Sequence, residues 1–89
     1  MYKLVFHKSV TKFLEKADKQ IQIKAIKSFD TIAKNPINKL LDIKLLKGIE
    51  SKDKHYRLRI GKYRFLYKVR KQEILIYFYK ADNRGDTYK

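Results

Sequence analysis

Cysteine is absent from the 89-residue chain. This excludes a disulfide framework and any thiolate metal site, and leaves the fold to be held by packing alone. Histidine occurs only at His7 and His55, too few for a histidine-based metal cluster. Acidic residues number nine against 23 Lys and Arg. Asp42, Asp82 and Asp86 lie in separate segments amid that positive charge and make a weak case for a cation site, so no metal and no cofactor is expected. No apolar run approaches the ~20 residues of a membrane span, and no signal-peptide pattern opens the chain. A cytoplasmic location and no membrane partner follow as expectations. The length leaves room for one small domain, residues 1–89. At 44% hydrophobic that domain can bury an interior despite 36% charged residues.

What the chain has in excess is positive charge: +14 net, with a pI near 10.0. By segment it is +5 over residues 1–35, +1 over 36–53 and +8 over 54–89. Such a balance favours a polyanionic partner, nucleic acid first. The excess concentrates where the arginines are. All five, Arg57, Arg59, Arg64, Arg70 and Arg84, fall in the last third, while lysine runs from end to end. A guanidinium grips a phosphate with two parallel hydrogen bonds, whereas an ammonium is a mobile point charge. Clustered arginine therefore points to a phosphate-gripping surface and scattered lysine to solubility and long-range attraction.

The run YKLVF at residues 2–6 alternates and reads as a strand. Ser9 is the expected N-cap of a helix carrying Val10, Phe13, Leu14 and Ala17 on one face. Asp18 is the expected cap of a second helix, whose Ile21, Ala25, Ile26, Phe29, Ile32 and Ala33 repeat at three and four residues. Asn35-Pro36 ends it, because the residue before proline is pushed out of helical geometry. Residues 40–48 (LLDIKLLKG) fit a helical turn, a strand or a packed loop equally well. From Tyr56 the period becomes two: strands over 56–60, 63–69 and 73–81, with turns at Gly61-Lys62 and at residues 70–72, predict an antiparallel meander. The fold class is thus α+β, with an N-terminal strand, a two-helix antiparallel hairpin and a three-stranded meander packed on the helices.

The strand at 56–60 turns Tyr56, Leu58 and Ile60 to one side and Arg57 and Arg59 to the other. The two arginine Cα atoms are about 6.7 Å apart by strand rise. Arg64 on the neighbouring strand reaches the same open face; Lys54, Lys62, Lys68 and Lys80 are the candidate RNA-binding lysines. The competing reading is a solvated face of an amphipathic sheet. Tyr63, Phe65, Tyr67 and Phe78 are expected in the core. Tyr77 and Tyr79 fall on the opposite side from Phe78, available to stack bases or to pack on the sheet.

The order of elements, LKG at 46–48, YRLRIGKYRFLY at 56–67 and the terminal NRGDTY at 83–88 together resemble the RelE/ParE superfamily of toxin–antitoxin toxins across essentially the whole chain. The resemblance implies, for the RelE branch, a metal-independent endoribonuclease that cuts messenger RNA at the ribosome and is held inactive by a cognate antitoxin. By position, Arg57 and Arg59 match the family's paired basic residues, Arg64 its turn arginine, and Arg84 and Tyr88 its C-terminal Arg and Tyr; these five are the candidate catalytic residues.

The implied chemistry is attack of a ribose 2′-OH on the adjacent phosphate. Fixed cations aimed at the non-bridging oxygens are then the main catalytic contribution, a role that suits Arg57, Arg64 and Arg84. Guanidinium stays protonated and is a poor general base. Tyr88 could exchange a proton or stack a base. The family often has Lys where Arg57 and Arg59 stand, and His or Lys at Asn83. His55 is one substitute, set against its reading as a strand residue with no chemical part. The alternatives are a ParE-like, non-enzymatic inhibitor of DNA gyrase and a basic nucleic-acid-binding module without catalysis.

Overall fold

In the computed structural model, which describes residues 1–49 and 51–83, seven elements follow one another. They are β1 (Lys3–Phe6), α1 (Lys8–Lys16), α2 (Lys19–Lys34), β2 (Asp42–Leu46), β3 (Lys54–Ile60), β4 (Tyr63–Arg70) and β5 (Leu75–Asn83). The strands form one sheet in the order β1-β5-β4-β3-β2. Strands β2 to β5 are an antiparallel meander, and β1 returns to the far edge parallel to β5. The α+β architecture is the expected one, with a fourth meander strand added. The stretch at 40–48 that local pattern leaves open resolves as β2, whose ladder to β3 pairs Asp42 with Arg59 and Lys44 with Arg57.

Helix α1 begins two residues earlier than the sequence suggests. His7 is the N-cap, its Nδ1 accepting from the Ser9 backbone N–H at 3.1 Å, so Ser9 sits in the first turn rather than at the cap. Asp18 is at the N-cap of α2, as expected, but its side chain makes no capping hydrogen bond. Asn35 closes the helix just before Pro36. Among the described residues no helix is long and apolar enough to cross a membrane.

Both helices lie on one face of the sheet. Val10, Ala25, Phe29 and Ile32 meet Leu58, Phe65, Tyr67, Val69, Ile76 and Phe78 in one cluster, with Phe6, Phe13 and Leu14 packed against it. Aromatic rings supply much of this layer: Phe29 stands 4.5 Å from Phe78 and 5.5 Å from Phe65, centroid to centroid. Such tilted and edge-on pairs add about 0.5–1.5 kcal/mol each beyond their buried area. The expected core placements of Phe29, Phe65, Tyr67 and Phe78 hold.

Two turns set the register. Gly61, at φ 59°, permits the tight β3–β4 connection, a conformation costly for residues with a Cβ. The β4–β5 turn is longer than expected and ends on Ile74 at φ 51°. It delays β5 to Leu75. One residue of β5, Tyr79, is a bulge: Leu66 pairs with Lys80 and Tyr67 with Phe78.

Candidate nucleic-acid interface

The face away from the helices is built by the period of two. Along β3 it carries His55, Arg57 and Arg59, the alternates of the core-facing Tyr56 and Leu58. The ladders align these with neighbours in rows. Asp42, Arg59, Arg64 and Asp82 are successive partners across β2, β3, β4 and β5; Lys44, Arg57, Leu66 and Lys80 form the next row, and Leu46, His55, Lys68 and Tyr77 the third. Arg59 and Arg64 are direct cross-strand partners. Three of the five candidate catalytic residues, Arg57, Arg59 and Arg64, thus share one patch, and two of them are like charges placed face to face. That arrangement costs stability unless something compensates it.

Two aspartates do so. Asp42 accepts from Arg57 Nη2 at 3.1 Å. Asp82 accepts from both Nε and Nη2 of Arg64 at 2.9 Å each, a bidentate fork that fixes the guanidinium plane. Asp42 and Asp82, two of the three acids weighed in the sequence as weak cation ligands, are instead arginine partners, and no group of three or more metal-ligating side chains occurs among the described residues. Arg59 has no ion pair among the described residues. Asp86, Arg84 and Tyr88 lie outside the described residues.

Further along β3, His55 Nδ1 and Tyr79 Oη are hydrogen-bonded at 2.9 Å. Burial holds the imidazole below its ordinary pKa, the Lys68 ammonium lowers it further, and Asp53 opposes both. The ring is therefore neutral at pH 7. Burial likewise pushes the Tyr79 phenol up. Among the described residues, three buried side-chain polar atoms lack a hydrogen bond: His55 Nε2, Arg57 Nε and Arg59 Nε. All three belong to alternate residues of this one strand face. An unmet buried donor costs about 1–3 kcal/mol, and its recurrence along a single row marks a surface not optimised for stability.

The candidate lysines divide. Lys68 and Lys80 are on the open face, Lys68 with its Nζ 5.5 Å over the Tyr77 ring. Lys62 is in the Gly61 turn, its Nζ 5.9 Å from the centroid of Tyr63. Lys54 pairs with Val69 and shares the side of Tyr56, so it faces away from the arginine patch. Arg70 is occupied elsewhere, by Asp53 and Glu73. The Arg57–Asp42, Arg64–Asp82 and His55–Tyr79 links were not foreseen, because each depends on strand register or on the bulge at Tyr79.

No family model matches the chain. A protein of Methanocaldococcus jannaschii assigned as toxin RelE1 is 36% identical over 89 residues, spanning 99% of this chain and 96% of that protein. The chain belongs to the RelE family of toxin–antitoxin toxins. Its fold is that of solved RelE proteins. The archaeal RelE–RelB complex from Pyrococcus horikoshii OT3 matches with a TM-score of 0.84 at 28% identity, covering 94% of this chain and 96% of that one. The RelB–RelE antitoxin–toxin complex from Methanococcus jannaschii matches at 0.75 and 26%, covering 96% and 95%. The isolated E. coli RelE toxin shares the fold at 0.75 and 17%, covering 99% and 92%. These similarities are to RelE proteins and lend nothing to the gyrase-inhibitor alternative.

Proposed function

We propose that this RelE-family chain is a metal-independent endoribonuclease. It cleaves messenger RNA at the ribosome by 2′-OH attack on the adjacent phosphate, and a cognate antitoxin silences it. The observation that carries this reading is the β3–β4 patch, where Arg57, Arg59 and Arg64 share one face and the buried Nε of Arg57 and of Arg59 lack partners among the described residues. Phosphoryl oxygens supply the acceptors and the negative charge that such a patch is short of.

Arg59, with no ion pair among the described residues, takes a phosphate oxygen directly. Arg57 and Arg64 are held in place by Asp42 and Asp82 and bring their positive charge to the same face. Pre-set cations of this kind spare the reaction a reorganisation step. The 2′-OH proton needs an unprotonated acceptor. The candidates are His55 on the open face, whose Nδ1 would exchange its Tyr79 hydrogen bond for the hydroxyl, and Tyr88, four residues after Arg84 in the sequence. The antitoxin partner is proposed from the RelE–RelB complexes among the similar structures.

The test is a translation extract charged with one defined messenger. The expected products carry 5′-hydroxyl and 2′,3′-cyclic phosphate ends. Intact messenger beside arrested translation would contradict the reading, and gyrase-dependent DNA breaks would replace it with the ParE-like one.

A further inference from the structure

Most aromatic rings among the described residues belong to the layer between helices and sheet; Tyr77, Tyr79 and His55 lie on the opposite, open face of the sheet. Tyr77 is the β5 partner of Lys68, and Lys68 is the β4 partner of His55, so the three form one row on the open face. Tyr79 reaches that row because the bulge adds a residue to β5 opposite Leu66 and Tyr67. Its ring centroid is 6.4 Å from that of Tyr77 and 5.4 Å from that of His55. The hydrogen bond to His55 holds it there.

We propose that this aromatic row is a second subsite, which stacks an unpaired base of single-stranded RNA while the arginine rows hold the phosphates. The identity of the ligand rests on the ribonuclease reading above. Three features argue for it. The Lys68 ammonium standing over the Tyr77 ring shows that this ring face is reachable from the open side, and a base can take its place while the ammonium turns to a phosphate. The Tyr79 ring is already immobilised by His55, so stacking on it costs little further side-chain entropy. Lys68 and Lys80 border the rings and complement a nucleic-acid strand. From Arg57 to Tyr77 is two strand spacings across and two residues along, about 12 Å from sheet dimensions, within the span of a short single strand.

Stacking contributes about 1–3 kcal/mol per base, which corresponds to roughly 5- to 150-fold in affinity. The probes are a fluorescein-labelled octauridylate and an abasic ribose-phosphate oligomer of the same length, titrated by anisotropy against the full chain. The wild type is expected to bind octauridylate at least about 5-fold more tightly. Tyr77→Leu should erase that preference and leave abasic binding unchanged, and Tyr77→Phe should keep it. Circular dichroism checks that each variant is folded. Should Tyr77→Leu not fold, Lys68→Gln with Tyr79→Leu, singly, replace it: the first should weaken both probes, the second only octauridylate. Equal wild-type affinity for the two probes would overturn the subsite, as would a folded Tyr77→Leu or Tyr79→Leu chain that keeps the preference. Base-dependent binding without cleavage would sink the ribonuclease reading alone; cleavage without base preference would sink the subsite alone.

Discussion

The two faces of one five-stranded sheet differ in how completely their groups are satisfied. Toward the helices, Leu58, Phe65, Tyr67, Ile76 and Phe78 are 0% exposed, with the rings of Phe65, Tyr67 and Phe78 packed against other aromatic rings. Toward the open side, alternate residues of the same strands leave His55 Nε2, Arg57 Nε and Arg59 Nε buried without partners among the described residues, and set Arg59 opposite Arg64. A period of two divides each strand between these tasks. Stability is carried by one parity of β3 and β4 and the proposed chemistry by the other, so the two should fail independently.

The core side should give the largest effect. Phe78→Ala removes a ring in contact with Phe6, Phe29 and Tyr67 and is expected to cost about 3–5 kcal/mol in urea unfolding, a large part of the stability of a domain this size. A loss below about 1 kcal/mol would show that the aromatic layer is not the main support. On the open side Arg64→Ala should abolish toxicity in an expression assay while changing stability by no more than about 1 kcal/mol, since its ion pair with Asp82 is only partly buried. Arg84→Ala should do the same, and a variant that remains fully toxic drops its residue from the site.

A smaller effect is expected at Ile74, a β-branched residue at φ 51°. Ile74→Gly relieves a left-handed conformation and should raise stability by up to about 1 kcal/mol, read from the urea midpoint. The smallest concerns His55. Burial and Lys68 lower its pKa in the folded chain, so the unfolded state binds its proton more readily. Its contribution is fully present above about pH 6.5 and is lost as pH falls below that. Between pH 7 and 5 the melting temperature of the wild type should fall more steeply than that of His55→Gln; parallel curves would remove His55 as the cause.

Much of this division is visible in the linear chain. The helical stripe from Ile21 to Ala33, the alternation from Tyr56 and the Gly61 turn are local signals, and they place Arg57, Arg59 and Arg64 on one face. Strand β2 is not visible in the same way. Its five residues have no period strong enough to exclude a helical turn, and only the ladder to β3 decides it. The roles of Asp42 and Asp82 are hidden for the same reason: a carboxylate becomes an arginine partner only once register brings the two side by side. Tyr79 needs the bulge as well as the register. Ser9 misleads because His7, a less common cap, supplies the same acceptor two residues earlier. Lys54 misleads because proximity in sequence to Arg57 says nothing of side: the two are three residues apart, on opposite faces.

The most direct test of the arginine face compares wild type with Arg59→Ala, matched for urea stability, by the rate at which each cuts a defined messenger on translating ribosomes. Losing one preorganised cation should slow cleavage by about 10²- to 10³-fold with the unfolding midpoint unchanged. A folded Arg59→Ala chain that cuts at the wild-type rate would contradict the account.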